Sequence, residues 1–565
     1  MKKKIILSIL GLFIGLSVFA QNTNGFDKQA DLVFKAYNKP KTPGVAVGVI
    51  QDGKTLYLKG FGTGNLETNK SISEKTKFQL GELSKQFTSL AILLLEEQGK
   101  ISLDDDIRNH LNELPEYDDT VTIRHLLNHC SGLHDINRIN TILNGTDVIP
   151  NQTKAMDLVV SQKTLSFKPG SKFSFHEAVT ESVLMAEIVE RSSGQSFPDF
   201  VLANIFKPLE MNNSLIRDDS ESILNDVAQP YRKEEGEKYK KNEVRSNVIG
   251  AINAYSSAED MCKWYINFTN PKGSLGHMIQ KLDTPVQLTN GNQFDYYWGK
   301  MTIGREFGHP ERGLPIYWNF GFQGGYGSNI FRFKNEKIIS FVLGNNNNYN
   351  GSLAMDAIDT LVKEHYTLPA TVDYKTLKTK KMESSKLKSF EGNYWFQPAG
   401  YASKIFVEND TLRSQWLFSE MSIKMVPISE NTFQQVSNSD EIRQFKFIKG
   451  DNGTTLYFKY NDSDPDIMKS YTPAKPTAEI IQSYTGTYFN TAYTSLITFH
   501  VDQGELIART NGHKAIKYLP IKKDVFTSAT LFMPSLEFIR DKSDKIIGIR
   551  IDGDGVHSLV FEKAN

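Results

Sequence analysis

The feature that most constrains this chain is a repeat in its last third. Leu387-Lys388-Ser389-Phe390-Glu391-Gly392-Asn393-Tyr394-Trp395-Phe396 is echoed by Ile481-Gln482-Ser483-Tyr484-Thr485-Gly486-Thr487-Tyr488-Phe489-Asn490. The run from Lys404 to Leu412 is echoed in the same way by Leu496 to Leu506. Both copies alternate apolar and polar residues over short runs broken by Asn, Asp and Gly, which is the pattern of strands with one buried face. Two small all-β modules are therefore expected, at residues 386–473 and 477–565, with Pro473 and Pro476 between them. Residues 369–385 are rich in Lys, Thr and Ser and read as a linker in front of the pair.

The rest of the chain is long enough for a further domain, since 565 residues exceed one ordinary domain. Lys+Arg 65 balances Asp+Glu 65, so charge gives no argument for nucleic acid or an anionic membrane surface as partner. Lys2, Lys3 and Lys4 precede an apolar run from Ile5 to Phe19, and Ser17-Val18-Phe19-Ala20 supplies small residues for cleavage after Ala20. Residues 1–20 thus read as a signal peptide, and the mature protein is expected to be periplasmic or extracellular with no membrane span. Cys130 and Cys262 read as two small buried residues; neither has the Cys or His spacing of a zinc site. His309-Pro310-Glu311 reads as a surface turn, and no metal or cofactor is expected.

Gly44 to Ile50 is a buried-strand run, and Thr55 to Gly60 returns after the turn Gln51-Asp52-Gly53-Lys54. Phe78 to Lys100 reads as a strand end, a tight turn and a helix. Phe87, Leu90, Ala91, Leu94 and Leu95 mark its buried face, and Gly99 its stop. This stretch resembles the first motif of the serine β-lactamase, penicillin-binding-protein and esterase superfamily, in its class C-like branch. Further segments match in order: Thr122 to Leu133, Lys168-Pro169-Gly170, Glu187 to Gly194, Phe206 to Met211, Ala258 to Met261, the strands at Asn329–Phe333 and Ile338–Leu343, and a last helix from Leu353 to His365. The resemblance spans roughly residues 26–366 and implies a β-lactamase-like domain at 26–368, an antiparallel sheet flanked by helices. It also implies that the two β modules are lipocalin-like barrels of the kind found behind exported members, packing against the first domain.

Serine members of the family use a Ser with a Lys three residues on, a Tyr in a Y-x-N motif, and a Lys or His in a K-T-G or H-x-G strand, with backbone amides for the oxyanion. Here Lys85 is in place, but the Ser position holds Glu82. After Lys168-Pro169-Gly170, one alignment puts Phe175 at the Tyr and Glu177 at the Asn; read back from Ser193-Gly194, Glu177 slides to the Tyr. The third motif falls at Asn319 to Ser328, with Asn319 in place of the basic residue. Ser84 does not replace the lost Ser, because two residues along a helix it points about 200° away.

What remains is acidic. Glu82, with the helix dipole and Lys85 favouring its charge, suits a nucleophile or base. Glu177, with no Lys at helical spacing, suits a proton donor. Such a pair is what glycoside hydrolysis needs, with carboxyls about 5–10 Å apart. His176, Asn319 and the aromatic residues Tyr296, Trp298, Trp318 and Tyr326 are candidates for binding substrate. The leading expectation is a secreted hydrolase of oligosaccharides. Its rivals are an inactive binding protein for a saccharide or peptidoglycan ligand, and a conventional esterase, DD-peptidase or β-lactamase.

Overall fold

A computed structural model describes residues 25–564 apart from 147, 174–178, 237, 243–245, 297–298, 312, 367–378, 398–399, 420, 437–442, 452, 461–464, 531 and 554. The expected signal peptide at 1–20 and most of the expected linker lie outside the described residues. The chain divides into two compact units. The first is Met1–Asp105, Ser182–Val286 and Lys300–Leu368; the second is Asp106–Glu181, Gln287–Gly299 and Pro369–Asn565. The architecture is an α/β domain of a sheet with flanking helices, followed by two closed antiparallel barrels.

In the first unit the apolar run at Gly44 forms β1 (Val45–Gln51), and its partner forms β2 (Lys54–Phe61). The later strands are β3 (Gly299–Met301), β4 (Phe307–Glu311), β5 (Leu314–Gln323), β6 (Tyr326–Phe333) and β7 (Ile338–Gly344). They lie in the order β3-β4-β5-β6-β7-β1-β2, joined by antiparallel ladders. All of β1 but Gln51 is buried, which explains its unbroken apolar sequence: helices cover both faces. One face packs Val45, Val47, Val49 and Val342 against Ala354, Ala357 and Ile358 of a helix at Leu353–Val362, with Phe26, Ala30 and Phe34 from the start of the domain. On the other, Gly48 leaves room for the Phe341 ring, which a Cβ would approach to 2.3 Å, and for Cys262 of the helix Ala258–Thr269. The helix α1 (Lys85–Glu97) is buried along most of its length.

In the second unit each barrel has eight strands, from Gly392–Phe396 to Asp466–Tyr471 and from Gly486–Asn490 to Val556–Lys563. The ladders Trp395↔Lys469 and Tyr488↔Lys563 close them. Each is preceded by a short helix, Ser384–Lys388 or Ala478–Ser483, followed by a buried ring, Phe390 or Tyr484. The repeat extends to single hydrogen bonds: Tyr394 Oη–H donates to the Phe390 carbonyl (3.0 Å), and Tyr488 Oη–H to the Tyr484 carbonyl (2.9 Å). Both interiors are filled. The first holds Tyr394, Ile405, Leu412, Met425, Phe433, Phe445 and Phe447. In the second, Tyr484, Tyr488, Phe499, Phe526 and Phe538 meet ring to ring. Among the described residues no helix is long and apolar enough to cross a membrane.

Cys130 and Cys262 are buried free thiols, one in each unit, and burial pushes both up to about 12.

Candidate active site

Glu82 lies in a single 3₁₀ turn, Gly81–Ser84, that leads into α1. The α-helix proper begins at Lys85, three residues later than the position of Glu82. Two glycines set where this turn sits. Gly81 has φ +57°, and a Cβ there would come within 2.6 Å of the Phe322 nitrogen. Across from it on β5, a Cβ on Gly321 would come within 2.0 Å of the Leu80 carbonyl oxygen. With no side chain at either position, turn and strand touch backbone to backbone. Ser328 Oγ–H donates to the Leu80 carbonyl (2.8 Å), and Leu80 N–H to the Ala254 carbonyl (2.9 Å). The consequence is that the Phe322 N–H donates to Glu82 Oε2 at 2.6 Å. Glu82 itself is half-buried.

Lys85 is 1% exposed. Its neighbour Gln86 donates from Nε2 to Glu306 Oε1 (3.2 Å) and accepts the Trp264 indole N–H (2.8 Å). Glu306 takes the guanidinium of Arg332, which also meets Asp283 and lies against the rings of Phe268 and Tyr317. Burial pushes the Glu306 carboxyl up, opposed by the Arg332 charge. A buried charge is costly unless paired, and this group is paired on both sides. It ties α1 to β6 just behind the turn that carries Glu82. Thr88 Oγ1–H to the Gly250 carbonyl (2.6 Å) and Ser89 Oγ–H to the Ile303 carbonyl (3.0 Å) add to this.

Ser84 is buried, and its Oγ accepts the Ala254 N–H at 3.0 Å. Asn319 is 2% exposed. Its Oδ1 accepts the Phe320 N–H (2.8 Å), and its amide nitrogen has no partner among the described residues. Tyr326 is buried, with Oη–H donating to the Ala228 carbonyl (2.6 Å). Trp318 is half-buried between the rings of Phe307 and Phe320. Tyr296 contributes backbone to a short strand, Asp295–Tyr296, in the second unit. Glu177, His176 and Trp298 lie outside the described residues, as does Phe175.

One residue near Glu82 escaped the sequence reading. Tyr349 lays its ring across Gly327 and Gly344, where a Cβ would come within 1.9 and 2.8 Å of it, and its hydroxyl bonds Asn329 Oδ1. Burial raises its pKa, with smaller contributions from Tyr37 and from the negative charge of Glu82. The only hint in sequence is the glycine at matching places on two paired strands.

Comparisons with known proteins agree with the fold. "Penicillin-binding protein 4*" of Bacillus subtilis (strain 168) is 26% identical over 438 residues, 74% of this chain and 92% of that one. "Protein flp" of Staphylococcus aureus (strain MRSA252) is 25% identical over 288 residues, 49% of this chain and 56% of that one. In fold, the chain is similar to the octameric penicillin-binding protein homologue from Pyrococcus abyssi, with TM-score 0.51, 22% identity, and coverage of 80% of this chain and 100% of that one. The crystal structure of SurE gives TM-score 0.52 at 15% identity, over 80% of this chain and 99% of that one. Residues 30–363 match the family described as Beta-lactamase, and the chain belongs to that family.

Proposed function

We propose that the protein is an exported hydrolase that works without a serine acyl-enzyme, using the Glu82 carboxylate to cleave a glycosidic bond in an oligosaccharide. The observation that carries this reading is the Phe322 N–H donated to Glu82 Oε2 at 2.6 Å. A donated N–H stabilises the charged form of a carboxylate and fixes its direction, which suits a nucleophile or base. The bond also argues against acyl transfer: a strand amide suited to a substrate oxyanion is taken by a side chain of the protein itself. Glu177 is the proposed proton donor, with His176, Asn319 and the aromatic residues named above as binding candidates. In this reading the two barrels are lipocalin-like packing modules.

The test is a screen of the purified mature protein against oligosaccharides and chromogenic glycosides, with an ester and a cephalosporin alongside. Glu82→Gln and Glu177→Gln are each expected to lower glycoside turnover by orders of magnitude with the fold intact. Lys85→Met is expected to move the acid limb of the pH–rate profile upward. A stoichiometric fluorophosphonate or penicillin adduct on a serine of residues 26–368 would restore the conventional hydrolase. A second reading, an inactive protein that binds a saccharide or peptidoglycan ligand, draws on the same hydrogen bond, which occupies the Glu82 carboxylate with a contact inside the protein. Saccharide binding without turnover, unchanged by Glu177→Gln, would establish it.

A further inference from the structure

The strand β5 runs on past its neighbour on one side. Its pairing with β4 ends at Phe307↔Trp318, while its pairing with β6 continues to Gln323↔Tyr326. From Asn319 to Gln323 no strand among the described residues lies on the β4 side.

The hairpin decides which main-chain groups face that side. Only Gly324 and Gly325 join β5 to β6, so Gln323 and Tyr326 form the closing hydrogen-bonded pair. In an antiparallel ladder such pairs alternate with pairs that do not bond. Gly321 and Asn319 therefore direct their N–H and C=O to β6. Phe320 and Phe322 direct theirs to the side that β4 has left.

An edge of this kind is a template on which an extended peptide adds itself as a further strand. Here both of its donors are spent. The Phe320 N–H is donated to Asn319 Oδ1 at 2.8 Å, and the Phe322 N–H to Glu82 Oε2 at 2.6 Å. Two side-chain oxygens thus stand where the carbonyl oxygens of an added strand would have to come. Burial does not close this edge instead, since Phe322 is 44% exposed. Nor does Asn319 serve the core. Its side chain is buried and its amide nitrogen has no partner among the described residues, which costs stability.

We propose that Asn319 and Glu82 together close the edge of β5 to extended peptides, and that Asn319 is a specificity-determining residue of the site. The proposal rests on the reading of Glu82 only for what the site admits. A substrate that brings hydroxyl donors to the carboxylate, as a sugar does, is accepted; one that brings a row of backbone carbonyls meets oxygen with oxygen.

The test uses the full mature protein, Asn319→Ala, Glu82→Ala and the double variant, with circular dichroism to show that each folds. Residue-resolved hydrogen exchange reads the caps directly. Asn319→Ala should speed exchange of the Phe320 amide roughly tenfold and leave that of Phe322 slow, and Glu82→Ala should do the reverse. Asn319→Asp and Glu82→Gln keep an acceptor oxygen and should restore slow exchange. A merely structural role would speed both amides together. Binding is read by fluorescence anisotropy with fluorescein-labelled acetyl-Lys-Thr-Val-Thr-Val-Thr-Lys-amide, a peptide that favours the extended state. The double variant should bind it with a Kd of about 1 mM or tighter, and the parent should not. If the double variant does not fold, the exchange rates of the single variants decide. The proposal is overturned if the parent binds the peptide as well as the double variant does, if neither binds it, or if the Phe320 amide exchanges no faster in Asn319→Ala. It is also overturned if the double variant self-associates in sedimentation without binding the peptide, since the caps would then guard against a second copy. No readout here involves turnover, so a parent without glycoside hydrolysis would sink the reading of Glu82 and leave this result standing.

Discussion

The two barrels carry the same strands, the same register and the same tyrosine-to-carbonyl bond, yet they differ around Trp416 and Thr510. In the second, Thr510 and Gly512 receive a helix from residues 136–144; in the first, Trp416 and Phe418 present rings. The shared parts are those that make a barrel close: alternating inward side chains and paired edges. The parts that differ sit at and just beyond the ends of the same paired strands, where one copy carries aromatic rings and the other small residues. The contrast shows that a duplicated module keeps its core by one set of residues and acquires its contacts by another.

The largest effect should come from filling the gap that the helix uses. Gly512→Val puts a branched side chain at φ +73° against the Asn144 backbone. It should destabilise the second barrel by about 2–5 kcal/mol in urea unfolding. The matching change in the first barrel, Phe418→Ala, should cost less than that because its ring is only partly buried and its removal forces no backbone clash. Equal losses would break the comparison.

Acid should separate the barrels next. Burial holds the His134 imidazole, beside the second barrel, down to about 4, with His557 adding to the effect. Between that value and the free value of 6.5 the unfolded chain binds a proton that the fold refuses. Stability here should therefore fall as pH drops through this window, by about 2 kcal/mol at pH 5. In the first barrel burial lifts Asp466 to about 6 from 3.8, so there the fold binds the extra proton. That contribution has the opposite sign, and stability rises as pH falls from about 6 towards 3.8. Hydrogen exchange at neutral and acid pH, compared over Gly392–Tyr471 and Gly486–Lys563, reads both slopes; parallel slopes would contradict the assignment.

The smallest effects test what the barrels share. Tyr394→Phe and Tyr488→Phe each remove one buried hydroxyl bond and should cost about 1 kcal/mol each. A difference of more than about 1 kcal/mol between them would show that the two bonds are not equivalent.

Several parts of the structure were legible in the residues alone. The run at Gly44 and its return at Thr55, the helix after Glu82, and the repeat at Leu387 and Ile481 all fold as their periodicity says, because each signal lies within a few residues. That position 82 holds Glu was likewise a matter of reading one residue against a pattern supplied by the family resemblance. What the sequence left open depends on partners far along the chain. The Phe322 amide reaches Glu82 across 240 positions, and it can do so only because Gly81 and Gly321 let two backbones meet. Tyr349 comes near Glu82 only by lying over glycines on two strands. Trp318 and Tyr326 have the composition of a sugar-binding rim, but the tertiary packing turns them against Phe307 and Ala228, since an aromatic residue does not say which of its neighbours it will face. The break in the repeat at Trp416 and Phe418 was present in the sequence. That a helix some 370 residues earlier in the chain fills the matching place in the other copy was decided by the fold, because only folding brings such distant segments into contact.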